Sequence, residues 1–249
     1  MPCAYPALTS HPVAWGPVPA VTICLPTFNE RDNIEAMLNA LAPYGVRVLV
    51  IDDNSPDGTG EIADRVAAEL EFVSVLHRPR KEGLGPAYIE GFHVALDAGA
   101  EYVITMDCDF SHDPADVPRL IAAAEAGADV VIGSRYVEGG GTRNWGLGRR
   151  IVSAGGSLYA RTILGMKIRD MTGGFRCFRR AVLEHIDVDT IATKGYAFQI
   201  ELTYRAVRAG FRVAEVPIVF TDRTMGQSKM SRAIFLEAVR KVPELRLRH

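Results

Sequence analysis

Two carboxylates one residue apart, Asp107 and Asp109, follow the apolar run Tyr102-Val103-Ile104-Thr105-Met106. Carboxylates at the end of an extended segment converge on one point if the chain turns there. Hard oxygen donors with open positions suit a divalent cation, Mg2+ or Mn2+, that neutralises a diphosphate. Asp-x-Asp alone serves equally as a helix cap or a solvated turn. Here Ser111-His112-Asp113-Pro114 follows it, and other apolar runs end in polar residues too. His112 reads as a metal ligand or, more simply, as a turn histidine held by a backbone hydrogen bond. Asp52 and Asp53 repeat the pattern one apolar run earlier. They would accept hydrogen bonds from a base or ribose edge, or only shape the turn Asp-Asn-Ser-Pro-Asp-Gly. Arg135, Arg149, Arg223 and Lys229 are candidates for phosphate, Arg through its fork and Lys as a point charge. Each alone would equally be a solvated surface cation. The segment from Asp222 to Lys229 contains Gly226 and Ser228 beside two cations, a composition suited to a loop that closes over a bound diphosphate.

The elements that must position these groups alternate in type. Val21–Pro26, Val46–Asp52, Val73–His77, Tyr102–Met106 and Val130–Gly133 read as strands, and Glu30–Ala42 as a helix behind an Asn29 cap. Further helices are expected over Thr59–Leu70, Ala87–Ala98 and Val117–Ala126. Short strands alternating with helices imply crossover units and a mostly parallel sheet with helices on both faces. Ligands then bind at the carboxyl ends of the strands. Those ends carry Pro26-Thr27-Phe28-Asn29-Glu30, Asp52-Asp53, Asp107-Cys108-Asp109 and Ser134-Arg135. Beyond a flexible joint at Gly139-Gly140-Gly141, Leu147, Ile151, Ala154, Leu158 and Ile163 fall near one helical face. A strand pair is expected around Thr172–Phe178, a helix over Ala197–Ala209, an extended segment over Arg212–Phe220, and a basic amphipathic helix over Ser231–Val242.

Composition narrows the function classes. At 48% hydrophobic, the 249 residues can bury one full core with little left for a second domain. No apolar run approaches the roughly 20 residues of a membrane span. Met1–Pro19, with five prolines, reads as a disordered or draped tail. The four cysteines are scattered, which suits reduced cytoplasmic thiols rather than a zinc site or disulfide framework. Residues 1–142 carry 8 Lys/Arg against 21 Asp/Glu, and residues 143–249 carry 20 against 9. An acidic half suits a cation and a basic half an anionic partner. Nucleic acid is disfavoured by the little aromatic interleaving in the basic segments. A P-loop is absent, and Gly83-Leu84-Gly85 is too short for a dinucleotide fingerprint.

Taken together, Pro26–Glu30, Ile51–Thr59, Gly83–Ala87 and Asp107–His112 resemble glycosyltransferase family 2. With Gly133–Tyr136, Thr172–Arg176, Lys194–Tyr196 and Arg223–Lys229, the likeness narrows to its polyprenol-phosphate (dolichol-phosphate type) mannose synthases, over about Val21–Arg240. The resemblance implies an α/β fold of the GT-A nucleotide-diphospho-sugar transferase type, a GDP-mannose donor, a polyprenyl monophosphate acceptor and a divalent metal. Pro26, Phe28, Glu30, Ile51 and Asp53 would hold the guanosine. Asp107, Cys108 through its backbone, and Asp109 would meet diphosphate and metal, with Ser111 where some relatives place a Gln ligand. Arg135, Arg223 and Lys229 would bind phosphates, and Arg149, or Arg150 beside it, the acceptor phosphate. Phe28 stands where Tyr is common, keeping the stacking face without the hydroxyl. Some relatives carry C-terminal transmembrane helices, which are not expected within these 249 residues. A catalytic domain over 20–222 is expected, followed by a mobile basic loop and amphipathic helix over 223–249. The stretches 146–166 and 231–242 would either lie peripherally on an anionic, cytoplasmic membrane face or pack on the domain. A separate anchoring protein would serve the same end. The competing readings are a same-family transferase with UDP-glucose or another donor, and a non-catalytic nucleotide-sugar or membrane-surface binder.

Overall fold

The computed structural model describes residues 21–191, 193, 195–222 and 240–247. The expected N-terminal tail, Lys194, Arg223, Lys229 and most of the last helix lie outside them. Strands β1 (Val21–Thr27), β2 (Arg47–Asp52), β3 (Val73–His77), β4 (Tyr102–Thr105), β5 (Val130–Ser134), β7 (Arg176–Arg179) and β8 (Val213–Pro217) form one sheet in the order β3-β2-β1-β4-β7-β5-β8. Every pairing is parallel except those of β7, which runs antiparallel between β4 and β5. The carboxyl ends of β1, β2, β4 and β5 therefore share one edge, where the site residues stand. A small parallel pair, β6 (Gly141–Arg143) and β9 (Val219–Thr221), lies apart from this sheet.

Both faces of the sheet are covered because its strands are apolar on both. On one face α1 (Ile34–Leu41), α2 (Thr59–Glu69) and α4 (Val117–Glu125) pack over Ile23, Leu25, Val48, Val50 and Ile104. On the other, α3 (Leu84–Asp97), α6 (Arg180–His185), α7 (Gly195–Arg208) and the end of α5 (Leu147–Leu164) pack over Cys24, Leu49, Ile51 and Val103. Truncating a fully buried Ile such as Ile104 to Ala costs about 2–5 kcal/mol in such a core. Helical residues 240–247 join this second layer through Val242 and Leu245.

Three expectations change. The first helix begins at Ile34 behind Asn33, not behind Asn29. Asn29 is left-handed, with φ 57°, and its N–H donates to Ser55 Oγ at 3.1 Å, so the end of β1 is tied to the turn after β2 instead of entering a helix. The expected strand pair around Thr172–Phe178 is a single strand, β7, because Met171–Gly174 is held as a loop by Arg176, whose Nε and Nη2 reach Gly173 O and Met171 O at 2.8 Å. Gly139–Gly141 is a packed turn and no loose joint. A Cβ on Gly140 would stand 2.5 Å from Ser134 O, and Gly141 N–H donates to Ile218 O at 2.9 Å.

Candidate active site

The acid pair leaves β4 through a strained turn. Phe110, between Asp109 and Ser111, has φ 58°. A left-handed aromatic residue costs about 1–3 kcal/mol and persists only where its surroundings hold it. The turn brings Ser111 N–H to Asp109 Oδ1 at 3.0 Å. Ser111 Oγ is buried and has no hydrogen-bond partner among the described residues. His112 accepts the Asp107 N–H on Nδ1 at 3.2 Å, stacks on Phe175 with centroids 5.0 Å apart, and meets the edge of Phe220 at 5.2 Å. It is thus the backbone-held histidine. Burial pushes its imidazolium pKa down, while Asp107 and Asp109 pull the other way. Position 174 is bare: a Cβ there would lie 3.9 Å from Asp107 Oδ2. Thr105 Oγ1 fixes this glycine by donating to Gly174 O at 2.6 Å.

On one side of the pair, the ends of β1 and β2 meet. Pro26 lies in register with Ile51, and Thr27 with Asp52. Asp52 is absorbed by the turn: its carboxylate accepts from Thr27 Oγ1 at 3.1 Å, Ser55 N at 3.0 Å and Ser55 Oγ at 2.6 Å. Glu30 accepts from Asn33 Nδ2 at 2.9 Å, and its N–H donates to Thr59 Oγ1 at 2.9 Å. Phe28 has the Lys81 ammonium 3.9 Å above its ring. Asp53 pairs with buried Arg78.

On the other side, Arg135 at the end of β5 is gripped by Asp170. Its Nε reaches Oδ2 at 2.7 Å and its Nη2 reaches Oδ1 at 2.6 Å, with Thr172 Oγ1 at 2.8 Å. Asp170 is fully buried, and Arg135 draws its carboxyl below the usual range against the opposing effect of burial. Arg135 also lies among Tyr136, Trp145 and Phe220, 5.1 to 5.6 Å from their centroids. Arg149 sits 4.2 Å above Trp145 and pairs with Asp222. Arg149 Nε and Trp145 Nε1 are buried donors without an acceptor among the described residues. Beside them a cleft of about 360 Å3 is lined by Arg135, Tyr136, Thr142, Arg150 and Ala154. Thr221 N–H donates to Ser111 O at 3.1 Å, so the chain reaches position 222 directly against the loop of the acid pair.

The profile of Glycosyl transferase family 2 matches residues 22–187. The chain belongs to glycosyltransferase family 2. It is 46% identical over 240 residues to "Polyprenol monophosphomannose synthase" of Mycolicibacterium smegmatis, covering 95% of this chain and 91% of the relative. It is 48% identical over 221 residues to "Undecaprenyl-phosphate mannosyltransferase" of Micrococcus luteus, covering 88% and 90%. Among solved structures, glucosyl-3-phosphoglycerate synthase from Mycobacterium tuberculosis with Mn2+, UDP and glucosyl-3-phosphoglycerate aligns with TM-score 0.64 at 22% identity, covering 92% of this chain and 78% of that one. A mannosyltransferase from Pyrobaculum calidifontis with GDP-Man and Mn2+ aligns with TM-score 0.57 at 16% identity, covering 91% and 70%. These last two establish the GT-A-like fold.

For a family 2 glycosyltransferase the donor set at β4 fits a hard divalent ion. Asp107, Asp109 and Ser111 offer only oxygen, and no third His, Cys, Asp or Glu joins them among the described residues. A site supplying one or two carboxylates and leaving the other positions to phosphate and water is the usual Mg2+ arrangement. Three site residues escaped the sequence: Arg78, Asp170 and Trp145. Asp170 carried one signal, as the single acid between Arg143 and Arg180.

The two amphipathic stretches separate. On α5, Leu147, Ile151 and Leu158 are 75%, 63% and 53% exposed, while residues 240–247 turn Val242 and Leu245 inward. No helix among the described residues is long and apolar enough to cross a membrane.

Proposed function

We propose that the protein transfers mannose from GDP-mannose to a polyprenyl monophosphate, with inversion, giving polyprenyl-phosphate mannose and GDP. The carrying observation is the acid pair of β4 standing between the ends of β1 and β2 and an arginine side, in a chain 46% and 48% identical to two enzymes named for polyprenyl-phosphate mannose synthesis. Pro26, Phe28, Glu30, Ile51 and Asp53 receive the nucleoside. Asp107 and Asp109, with Ser111 adjacent, hold the divalent cation, which when bound offsets charge on the diphosphate. The unpartnered donors of Arg149 and Trp145, with the cleft beside Arg150, favour an anion, and we assign them to the acceptor phosphate. Arg223 and Lys229 serve the phosphates from beyond Asp222.

A phosphate monoester carries between one and two negative charges near neutral pH, its second pKa being about 6. One of its oxygens attacks the anomeric carbon, the new C–O bond forming as the bond to the GDP β-phosphate breaks and GDP leaves with the electron pair. No strong general base is needed. Rate enhancement then comes from positioning the two substrates in line and from fixed positive charge near the departing diphosphate. The exposed apolar residues of α5, flanked by Arg150 and Arg161, suit peripheral contact with an anionic, cytoplasmic membrane surface, where the lipid acceptor resides. A separate anchoring protein would do the same work.

Competition between GDP-mannose and UDP-glucose in one assay with polyprenyl phosphate tests the reading. Mannose should be transferred and glucose left. Preferential glucose transfer would replace the donor, and transfer of neither would leave a binding protein.

A further inference from the structure

Arg78 is the buried cation of the nucleotide side, and the reaction as described gives it no task. Its side chain is 1% exposed. Its N–H donates to Asp52 O at 2.8 Å, which fixes it beside the end of β2. Its guanidinium faces three carboxylates: Asp53 Oδ1 on Nη1, Glu90 Oε1 on Nε at 2.9 Å, and Glu82 Oε2 on Nη2 at 3.3 Å. These come from three places, the end of β2, the body of α3 and the loop before α3. Asp53 is the most deeply buried of them, its side chain 8% exposed against 40% for Glu82 and 27% for Glu90. Asp53 N–H is held by Thr27 O at 3.1 Å, so the backbone is fixed as well as the carboxylate. The side-chain hydrogen bond of Asp53 within the described residues is made by Oδ1, to Arg78. Burial drives the Asp53 carboxyl pKa upward, and Arg78 is the largest influence against it, followed by Lys81, with Asp52 opposing both.

We propose that Arg78 is the positioning residue of the nucleobase subsite, gripping Asp53 Oδ1 while braced by Glu82 and Glu90, so that Asp53 stays a fixed, ionised acceptor for the base edge. This rests on the reading that Asp53 meets the guanine of the donor. Guanine presents two adjacent donors, the ring N1–H and the exocyclic amine. Uracil presents one N–H between two carbonyl oxygens, and adenine places an acceptor at its ring N1. A rigid carboxylate therefore rewards guanine most, and a site with unmet polar groups penalises the wrong base. A carboxylate freed from Arg78 would swing, and in its buried setting would be more readily protonated, losing an acceptor position.

Calorimetric titration of the full chain with GDP and with UDP, in the presence of Mg2+, tests this in Asp53→Asn, Arg78→Gln, Arg78→Lys and the double variant Asp53→Asn/Arg78→Gln. Arg78→Gln should weaken GDP on the order of tenfold and UDP much less. Arg78→Lys, keeping the charge without the fork, should lose less than Arg78→Gln. The double variant should be no weaker than Asp53→Asn alone. On acidification GDP affinity should begin to fall at a higher pH in Arg78→Gln than in the parent, because losing Arg78 removes the main influence that opposes burial at the Asp53 carboxyl. The neighbouring groups Asp52, Lys81, Glu82 and Glu90 are common to both proteins. Additive losses in the double variant, or equal losses for GDP and UDP, overturn the proposal. If Asp53→Asn leaves GDP binding unchanged, the guanine reading itself has failed. Should Arg78→Gln not fold, Arg78→Lys decides: a loss confined to GDP supports the proposal, and no loss overturns it.

Discussion

At the ends of β1, β2 and β4, carboxylates are held by groups within a few residues or one strand away: Asp52 by Ser55 and Thr27, Asp109 by Ser111 N–H. Across β7, arginines are held by carboxylates far along the chain. Arg135 is held by Asp170, thirty-five positions on, and Arg149 by Asp222, seventy-three positions on. The first arrangement is local and rigid. The second trades a net positive charge for geometry, since each arginine already has an anion before any substrate arrives. A phosphate entering that side must compete with a carboxylate for Arg149, whereas a cation entering the first side meets oxygens already gathered. One side is built to hold, the other to exchange.

The sharpest way to break this contrast is Asp109→Ala, which should lower turnover at least about 1,000-fold while changing stability little. Near-normal activity would remove the acid pair as the reaction centre. Asp170→Asn should do the reverse. It leaves Arg135 buried without its counter-charge and should cost about 3–5 kcal/mol in a urea melt. Asp170 has its carboxyl pKa lowered by Arg135. Its contribution is thus present above the ordinary carboxylate range and is lost as pH falls through the lower folded value. The parent should lose stability on acidification below about pH 4, and the Asn variant should lose less over that range. Equal slopes would show the pair to be incidental.

Arg149→Ala should reduce kcat/KM for the lipid acceptor on the order of 30-fold and leave GDP affinity unaltered. A parallel loss of GDP affinity would put this arginine on the donor. The smallest effect belongs to Ile151→Asp, at an exposed position. Stability should move by less than about 0.5 kcal/mol, and retention on anionic vesicles should drop about tenfold, the order expected from removing one inserted aliphatic side chain. Unchanged vesicle binding would send α5 back to the role of an ordinary surface helix.

How much of this was legible depended on whether a residue's meaning was local. The strands were readable because Val46–Asp52 and Val130–Gly133 are β-branched runs with turn residues behind them, and Val73–His77 matched the observed β3 end for end. Asp107 and Asp109 were readable because a strand end implies a sheet edge. The same logic failed where one side chain decides the local path. Asn29 has the composition of a cap and the backbone of a turn, and Asn33 four residues on takes the position before the helix. Thr172–Phe178 looked like two extended pieces, since nothing nearby announces that Arg176 will close Met171–Gly174 into a loop. Arg78 and Asp170 were unreadable for a related reason. A lone charge in a sequence is ordinarily solvated, and their burial exists only once β2, β3 and α3, or β5 and the 170–174 loop, have met. The exposed face of α5 was readable as amphipathic, but whether it packs or projects is set by the rest of the fold.

The antiparallel strand β7 has a consequence for how the protein is made. It separates β4 from β5, and it emerges from the ribosome roughly 70 residues after the end of β4. At about 5–20 residues per second that is roughly 4–14 s. If β4 pairs with β1 in that interval, its other edge, Tyr102–Thr105, stays open, without the bulge or lysine that usually guards one. A translational pause just before Arg176 should cause more aggregation of the nascent chain than a pause of equal length placed after Arg179.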